Sequence, residues 1–315
     1  MEIRNLSGCV LLLLLFLPPP STDSSSSASN ADHPLSRLPR RRIKRISTPY
    51  YEEKKTLDMA KYVVSLRSRT PRKYFGDNHY CGGVIISRTF ILTAAHCTMD
   101  SRKILHRARV LLVVAGTPNR LKFWRGRTVN APVKDVYVPE NFTMFNTNNI
   151  ALLKLAIELP DNPYIAIASL PTHEPVYNIN YTLLGWGRVY KGGPLASSIL
   201  HVDVKLLDHQ TCEELVQTFK DEMMCAGNLE DDQDENPCAG DTGSPLLLNG
   251  TVYGIVSYRI GCGSKSLPSV YTNVFAHLEW IDEIMTSGES VRRGCTPSMW
   301  LAATFALLNV PRIKF

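Results

Sequence analysis

Between Cys238 and Pro245 the chain reads Cys-Ala-Gly-Asp-Thr-Gly-Ser-Pro. Gly240 and Gly243 bracket the hydroxyl of Thr242, and an acid, Asp241, stands immediately before it. Glycine on both sides lets the backbone turn sharply, so that the hydroxyl and neighbouring amides face a cleft, as a nucleophile loop with an oxyanion hole requires. Upstream, Thr93-Ala94-Ala95-His96-Cys97 follows an apolar run and places an imidazole beside a cysteine. An imidazole can act as a general base, although a histidine next to a disulfide is more often structural. Asn149 opens a third segment, Asn-Ile-Ala-Leu-Leu-Lys-Leu.

The first segment resembles the Gly-Asp-Ser-Gly-Gly-Pro loop of the chymotrypsin/trypsin-like serine proteases. The second, with Cys81-Gly82-Gly83 ahead of it, resembles the family segment that carries the general base. The resemblance implies that His96 faces Thr242, that Asn149 is the third member, and that the amides of Gly240 and Thr242 line an oxyanion hole. It also marks departures. Thr242 stands where the family has serine, Ser244 where it has a second glycine, and Asn149 where an aspartate opens Asp-Ile-Ala-Leu-Leu. A carboxylate only accepts hydrogen bonds, so it leaves the distal imidazole nitrogen bare; an amide also donates, favours the opposite tautomer and gives an imidazolium no counter-charge. In this kind of triad the acid-to-amide exchange costs about 10⁴ in turnover. Threonine serves as a nucleophile in other folds by using an amino terminus as base, and its extra methyl competes here for space between base and substrate.

The same resemblance assigns a specificity pocket, an activation site and disulfides. The pocket floor falls at Asn236, six residues before Thr242, and two wall glycines become Arg259 and Ser269. Trypsin-like enzymes place an acid at that floor; Asn236 is uncharged, and an arginine on the wall is expected to shut the slot. Family members are activated by a cut before Ile-Val-Gly-Gly, whose new amino group pairs with the acid before the nucleophile. Here Arg45 precedes Ile46-Ser47-Thr48-Pro49, which lacks the glycines and with them the easy positive-φ turn that would bring Ile46 to Asp241. The implied disulfides are Cys81 with Cys97, Cys212 with Cys225 and Cys238 with Cys262; a fourth family bridge is missing, with Tyr181 at one of its positions. No metal or other cofactor is implied.

The elements that must position these residues read as strands. Short runs rich in Val, Ile, Leu and Tyr span 62–66, 79–86, 90–93, 110–115 and 150–155, and after a Pro- and Asn-rich connection over 159–180 a second series spans 182–186, 200–205, 244–248, 251–258 and 269–274. Asn249-Gly250 between two of them predicts a hairpin, since both residues accept positive φ. Strands without crossover helices predict an all-β fold. The resemblance narrows this to two packed antiparallel six-stranded β-barrels with the site between them. Val274, Leu278, Ile281 and Met285 recur at helical spacing around Trp280 and predict a C-terminal amphipathic helix.

Composition sets the context. The 315 residues are 44% apolar and 20% charged, with a net charge of +6, which suits an ordinary globular core. Arg37, Arg40, Arg41, Arg42, Lys44 and Arg45 crowd into one run, which reads as a solvated, protease-cleaved segment rather than a nucleic-acid site. Arg4, an apolar run from Cys9 to Leu17 and three prolines read as a signal peptide over 1–24, followed by a Ser-rich and basic pro-segment over 25–45 too polar to order itself. The protease-like domain is expected over 46–287, with barrel one over 46–160 and barrel two over 178–275. A tail over 288–315 carries Cys295 and an apolar run from Met299 to Val310; a lipid-anchor signal near Ser287-Gly288 is opposed by Arg312 and Lys314, because such a tail stays apolar to its end. Asn141, Asn180 and Asn249 open Asn-x-Ser/Thr glycosylation sequons. The expectation is a secreted protease homologue that has lost peptidase activity and binds extracellular proteins, either proteases or their substrates or inhibitors. Its rivals are a weak hydrolase using Thr242 and an extracellular polyanion-binding protein.

Overall fold

The computed structural model describes residues 53–293, except 101, 103, 144–146, 191, 230–235 and 260–266, and leaves undescribed the side chains of 53, 259 and 288–293. The expected signal peptide, pro-segment and tail beyond Arg293, with Arg45, Ile46 and Cys295, lie outside the described residues.

Six strands close a first barrel: β1 (Val63–Ser68), β2 (His79–Ile85), β3 (Phe90–Thr93), β4 (Leu111–Ala115), β5 (Val129–Tyr137) and β6 (Ala151–Leu155), in the spatial order β1-β2-β3-β6-β5-β4. All neighbours are antiparallel, and β3 and β6 are buried at every position, so they read as mostly apolar runs, broken by Thr93 and Lys154, rather than as alternating ones. The second sheet contains β7 (Asn180–Gly185), β8 (Leu200–Lys205), β9 (Met223–Ala226), β10 (Pro245–Leu248), β11 (Thr251–Arg259) and β12 (Ser269–Asn273), ordered β8-β7-β10-β11-β12-β9. Its edge strands β8 and β9 are not joined by a ladder; a single bridge, Leu206 with Ala226, meets across the gap. The architecture is thus a closed barrel and a half-barrel, mostly strands, in the chymotrypsin-like arrangement.

Two strands escape the sequence pattern. β5 contains Pro132, which interrupts a strand pattern, yet Pro132 sits opposite Leu112, and its carbonyl accepts Ala156 N–H at 2.8 Å. β9 is Met-Met-Cys-Ala, a poor strand former, and is imposed from outside by pairing with β12 and by the Cys212–Cys225 disulfide. Asn249 and Gly250 take φ of 51° and 78°, the positive values that a tight Asn-Gly hairpin needs.

Three helices complete the domain. α1 (Glu53–Ala60) docks on β8 through a Thr56 Oγ1–His201 Nδ1 bond of 2.6 Å and a Lys55–Asp203 ion pair of 2.6 Å. α2 (His209–Leu215) is capped by Asp208, whose carboxylate accepts Thr211 N–H at 2.9 Å. α3 (Leu278–Arg293) buries Ile281 and packs Trp280, Ile284 and Met285 against a core that includes Val64, Ile85 and Leu92 of barrel one and Leu247, Val252 and Ile255 of the second sheet. That shared core locks the two sheets together at the seam where the candidate site lies.

Candidate active site

Barrel one supplies His96 and Asn149. After β3 the chain makes a 3-10 turn over Ala95–Thr98, and the Cys81–Cys97 disulfide pins that turn to β2. Thr93 Oγ1 donates to Gly82 O at 2.8 Å, which fixes where the turn begins. Asn148, at φ 51°, bends the chain so that Asn149 faces inward with no exposed surface. The amide of Asn149 then bridges the sheets. Its Oδ1 accepts the backbone N–H of His96 at 3.0 Å and its Nδ2 donates to Ser257 Oγ on β11 at 2.8 Å, while the backbone carbonyl of Asn149 accepts Thr272 Oγ1 on β12 at 2.9 Å.

This geometry settles which way the amide points. A backbone N–H can only donate, so the atom facing His96 N must be the oxygen, and the amino group is directed away toward Ser257. Where a carboxylate would offer a second acceptor, Asn149 presents N–H groups. His96 is half-buried, with the ring of Phe142 edge-on at 5.6 Å.

The second sheet supplies the Thr242 loop. The Thr242 carbonyl accepts Gly82 N–H at 2.8 Å, which ties the loop to barrel one. Gly243, at φ 82°, lies where a Cβ would come within 2.5 Å of both Thr93 Oγ1 and Gly82 O, so only glycine fits there. Thr242 is half-buried, and among the described residues no hydrogen bond joins its hydroxyl to His96. Ser244, in place of a glycine, is fully buried; its hydroxyl lies between Gly82 and Gly185 without a hydrogen-bond partner. An unmet buried hydroxyl costs about 1–3 kcal/mol.

Gly240 adopts φ 100°, a left-handed value that turns the loop, and among the described residues the N–H groups of Gly240 and Thr242 have no backbone acceptor. Asp241 faces the other way. Its fully buried carboxylate accepts Gly187 N–H at 2.7 Å and Cys238 N–H at 2.8 Å. A Cβ on Gly185 or Gly187 would lie 2.0 Å from one of its oxygens, so the Gly185-Trp186-Gly187 segment is a cradle for this acid.

A relay that sequence reading missed holds the same loop from below. His79 Nε2 lies 3.1 Å from Gly240 O, His79 Nδ1 lies 2.8 Å from Ser65 Oγ, and Arg67 Nε donates to Ser65 Oγ at 2.8 Å. Burial first, then the charges of Arg120 and Arg67, push His79 down from 6.5 to about 3, so its ring is neutral. Because the Gly240 carbonyl only accepts, the ring proton sits on Nε2, and the Ser65 hydroxyl donates to Nδ1. The signal in the sequence was slight: a histidine two residues ahead of Cys81-Gly82-Gly83.

Of the three residues expected to form the pocket, the structure describes the side chains of Asn236 and Ser269. Asn236 is buried, with Oδ1 3.3 Å from the position a Gly227 Cβ would take, and Pro268 lines the same spot. Ser269 is buried and stands between Ala226 of β9 and Arg259 of β11. The Arg259 side chain lies outside the described residues, as does Cys262; Cys238 is disulfide-bonded. Tyr181, where a fourth bridge is missing, is buried edge-on to Tyr253 at 5.5 Å and anchors Val176 through its hydroxyl. Asn141, Asn180 and Asn249 are all exposed. Among the described residues one group, His209 with Glu213 and Asp221, has metal-ligand side chains close together; the two acids face opposite ring nitrogens, which suits ion pairing rather than shared coordination.

The trypsin family model matches residues 52–281. The chain belongs to the trypsin family. Similar proteins include snake venom serine proteases KN1 and KN9 of Trimeresurus stejnegeri and snake venom serine protease 2C of Craspedocephalus gramineus. Each is 32% identical over 220–222 residues, covering 67% of this chain and 80% of the relative. The closed barrel, the half-barrel, the disulfide beside His96, the cradled Asp241 and the left-handed Gly240 are all in place. At the three positions expected to form the triad the chain carries His96, Asn149 and Thr242, an amide and a branched alcohol beside the imidazole.

Proposed function

We propose that this trypsin-family chain is a secreted homologue that does not turn over peptides and acts by binding, as a regulator or cofactor in extracellular proteolysis. One observation carries the reading. The buried Asn149 must turn its oxygen to the His96 backbone, so what remains for the imidazole is a donor. A neutral donor at that place protonates the wrong nitrogen in effect and leaves an imidazolium without a counter-charge. Thr242 adds a second impediment, and because triad members act as a unit the two losses do not simply multiply. Extracellular placement is supported by the Cys81–Cys97 and Cys212–Cys225 disulfides and a bridged Cys238, by three exposed sequons and by relatives named as venom proteases.

The test uses secreted protein cut after Arg45. Incubation with a fluorophosphonate probe and a mixed peptide library is expected to give no labelling at Thr242 and no cleavage above background. Turnover of a protein substrate that disappears in His96→Ala, or a phosphonyl adduct on Thr242, would establish the enzyme reading instead.

A further inference from the structure

Residues 67–127 hold thirteen lysines and arginines against two acids, a local excess of +11 in a chain whose total is +6. The fold gathers most of these charges on three contiguous surface segments of barrel one: the β1–β2 loop 69–78, the stretch 102–110 before β4, and the β4–β5 loop 116–128. Arg69 joins the first two, with its N–H on Val110 O at 2.8 Å and its Nη1 on Arg109 O at 3.3 Å. Arg120 joins the first and third, donating from Nη1 to Gly76 O at 2.6 Å, and Phe75 meets Phe123 edge-on at 5.6 Å. Beneath them, buried Arg67 lies 4.5 Å over the Phe75 ring and donates to Arg120 O.

On the outer face, Arg69, Arg72 and Lys73 of the first loop are exposed. So are Arg102, Arg107 and Arg109 of the second segment, with Lys122 and Arg125 of the third. The two acids are largely engaged by backbone: Asp77 accepts the N–H groups of Arg72, Lys73 and Tyr74, and Asp100 accepts those of Arg102 and Ile104 while pairing with the Arg102 guanidinium. Among the described residues, Arg102 with Asp100 is the one ion pair of these loops.

Exposed apolar side chains are set among the cations: Tyr74 at 58%, Ile104 at 56%, Phe123 at 51%, Leu105 at 46% and Val110 at 41%. One exposed apolar residue is ordinary; five on adjoining loops that also carry eight exposed cations form a surface with two kinds of unmet demand. A polyanion without apolar groups, such as a sulfated polysaccharide, leaves the aromatic and aliphatic side chains in water. An extended peptide that alternates carboxylates with apolar side chains covers both.

We propose that this face of barrel one is a docking surface for an extended acidic segment of a partner protein that carries aromatic or aliphatic residues between its carboxylates. The surface lies outside the His96–Thr242 cleft and stands independently of whether Thr242 reacts. Its loops are preorganised by the buried Arg67 and Arg120, so little ordering is required of this side on binding.

The probe is a synthetic, fluorescein-labelled twelve-residue peptide alternating Glu with Phe and Ile in blocks, titrated by anisotropy against the full secreted chain. Oligoglutamate of equal length and a heparin fragment serve as comparators. Neutralising Arg72→Gln, Lys73→Gln, Arg107→Gln and Arg125→Gln together should weaken probe binding roughly thirtyfold with the thermal midpoint unchanged. Tyr74→Ala should weaken the mixed probe about threefold to tenfold and leave oligoglutamate unaffected. If the quadruple variant does not fold, Lys73→Gln with Arg125→Gln, read together with the salt dependence of binding, carries the same test. The proposal is overturned if the neutralised surface binds the probe like wild type, or if oligoglutamate or heparin binds as tightly as the mixed probe with Tyr74→Ala silent. It also fails if the loss follows neutralisation of the Arg37–Arg45 run instead.

Discussion

The reading of Asn149 as the decisive lesion makes a quantitative prediction for the pair Asn149→Asp and Thr242→Ser. At position 149 the change is nearly isosteric. One carboxylate oxygen keeps the His96 N–H bond now held at 3.0 Å, and the other replaces Nδ2 at 2.8 Å from Ser257 Oγ, whose hydroxyl rotates from acceptor to donor. The new acceptor favours the productive tautomer and gives the imidazolium a counter-charge, which is expected to return a large part of the roughly 10⁴ that the acid-to-amide exchange costs in this kind of triad, or about 5 kcal/mol. The assay is the second-order labelling rate of a small alkyl fluorophosphonate, which reports on the nucleophile without filling the specificity pocket. Thr242→Ser alone should label barely above wild type, and the double variant about 10³–10⁴ times faster than the single. Equal rates for the single and double variants, with both folded, would refute the argument that the amide silences the site.

The remaining predictions follow from neighbouring geometry. The same double variant should not cleave after Lys or Arg in a peptide library, because Asn236 supplies no charge at the pocket floor; robust cutting there would show that the floor reading is wrong. His79 is held neutral in the fold, with its pKa lowered from 6.5 to about 3, so its stabilisation is complete above about pH 6.5 and is lost as pH falls toward 3, on the order of 3–5 kcal/mol in all. Denaturant midpoints across that window should fall for wild type and fall less for His79→Gln. Gly187→Ala would drive a Cβ to 2.0 Å from Asp241 Oδ2 and should cost about 3 kcal/mol, measured as a lowered thermal midpoint; a neutral result would mean the cradle is looser than its geometry.

Two features of the site serve the fold independently of any chemistry at Thr242. Asp241 and the Gly185-Trp186-Gly187 cradle satisfy buried backbone N–H groups, and Gly243 lets the Thr242 loop cross β2; neither task requires a reactive hydroxyl. Removing either would leave buried polar groups unmet, at about 1–3 kcal/mol each.

Much of the architecture was legible along the chain. Strands β3 and β8 occupy the spans their apolar patterns indicated, the Asn249-Gly250 turn took the positive φ values its residue types require, and α3 followed the spacing of Leu278, Ile281 and Met285. β5 and β9 were not legible, because Pro132 and the Met-Met-Cys-Ala run carry no local preference for strand and are held there by neighbours and a disulfide. Residue identity alone already determined that position 149 is an amide and position 242 a branched alcohol, since those are facts of side-chain chemistry. Only the tertiary structure decided which end of that amide faces His96, because the deciding partners, His96 N and Ser257 Oγ, lie 53 and 108 residues away. The same holds for the His79 relay and for the basic face of barrel one. A sequence records residue types and short-range periodicity, whereas a hydrogen bond or a surface patch is made by segments that meet only once the barrel has closed.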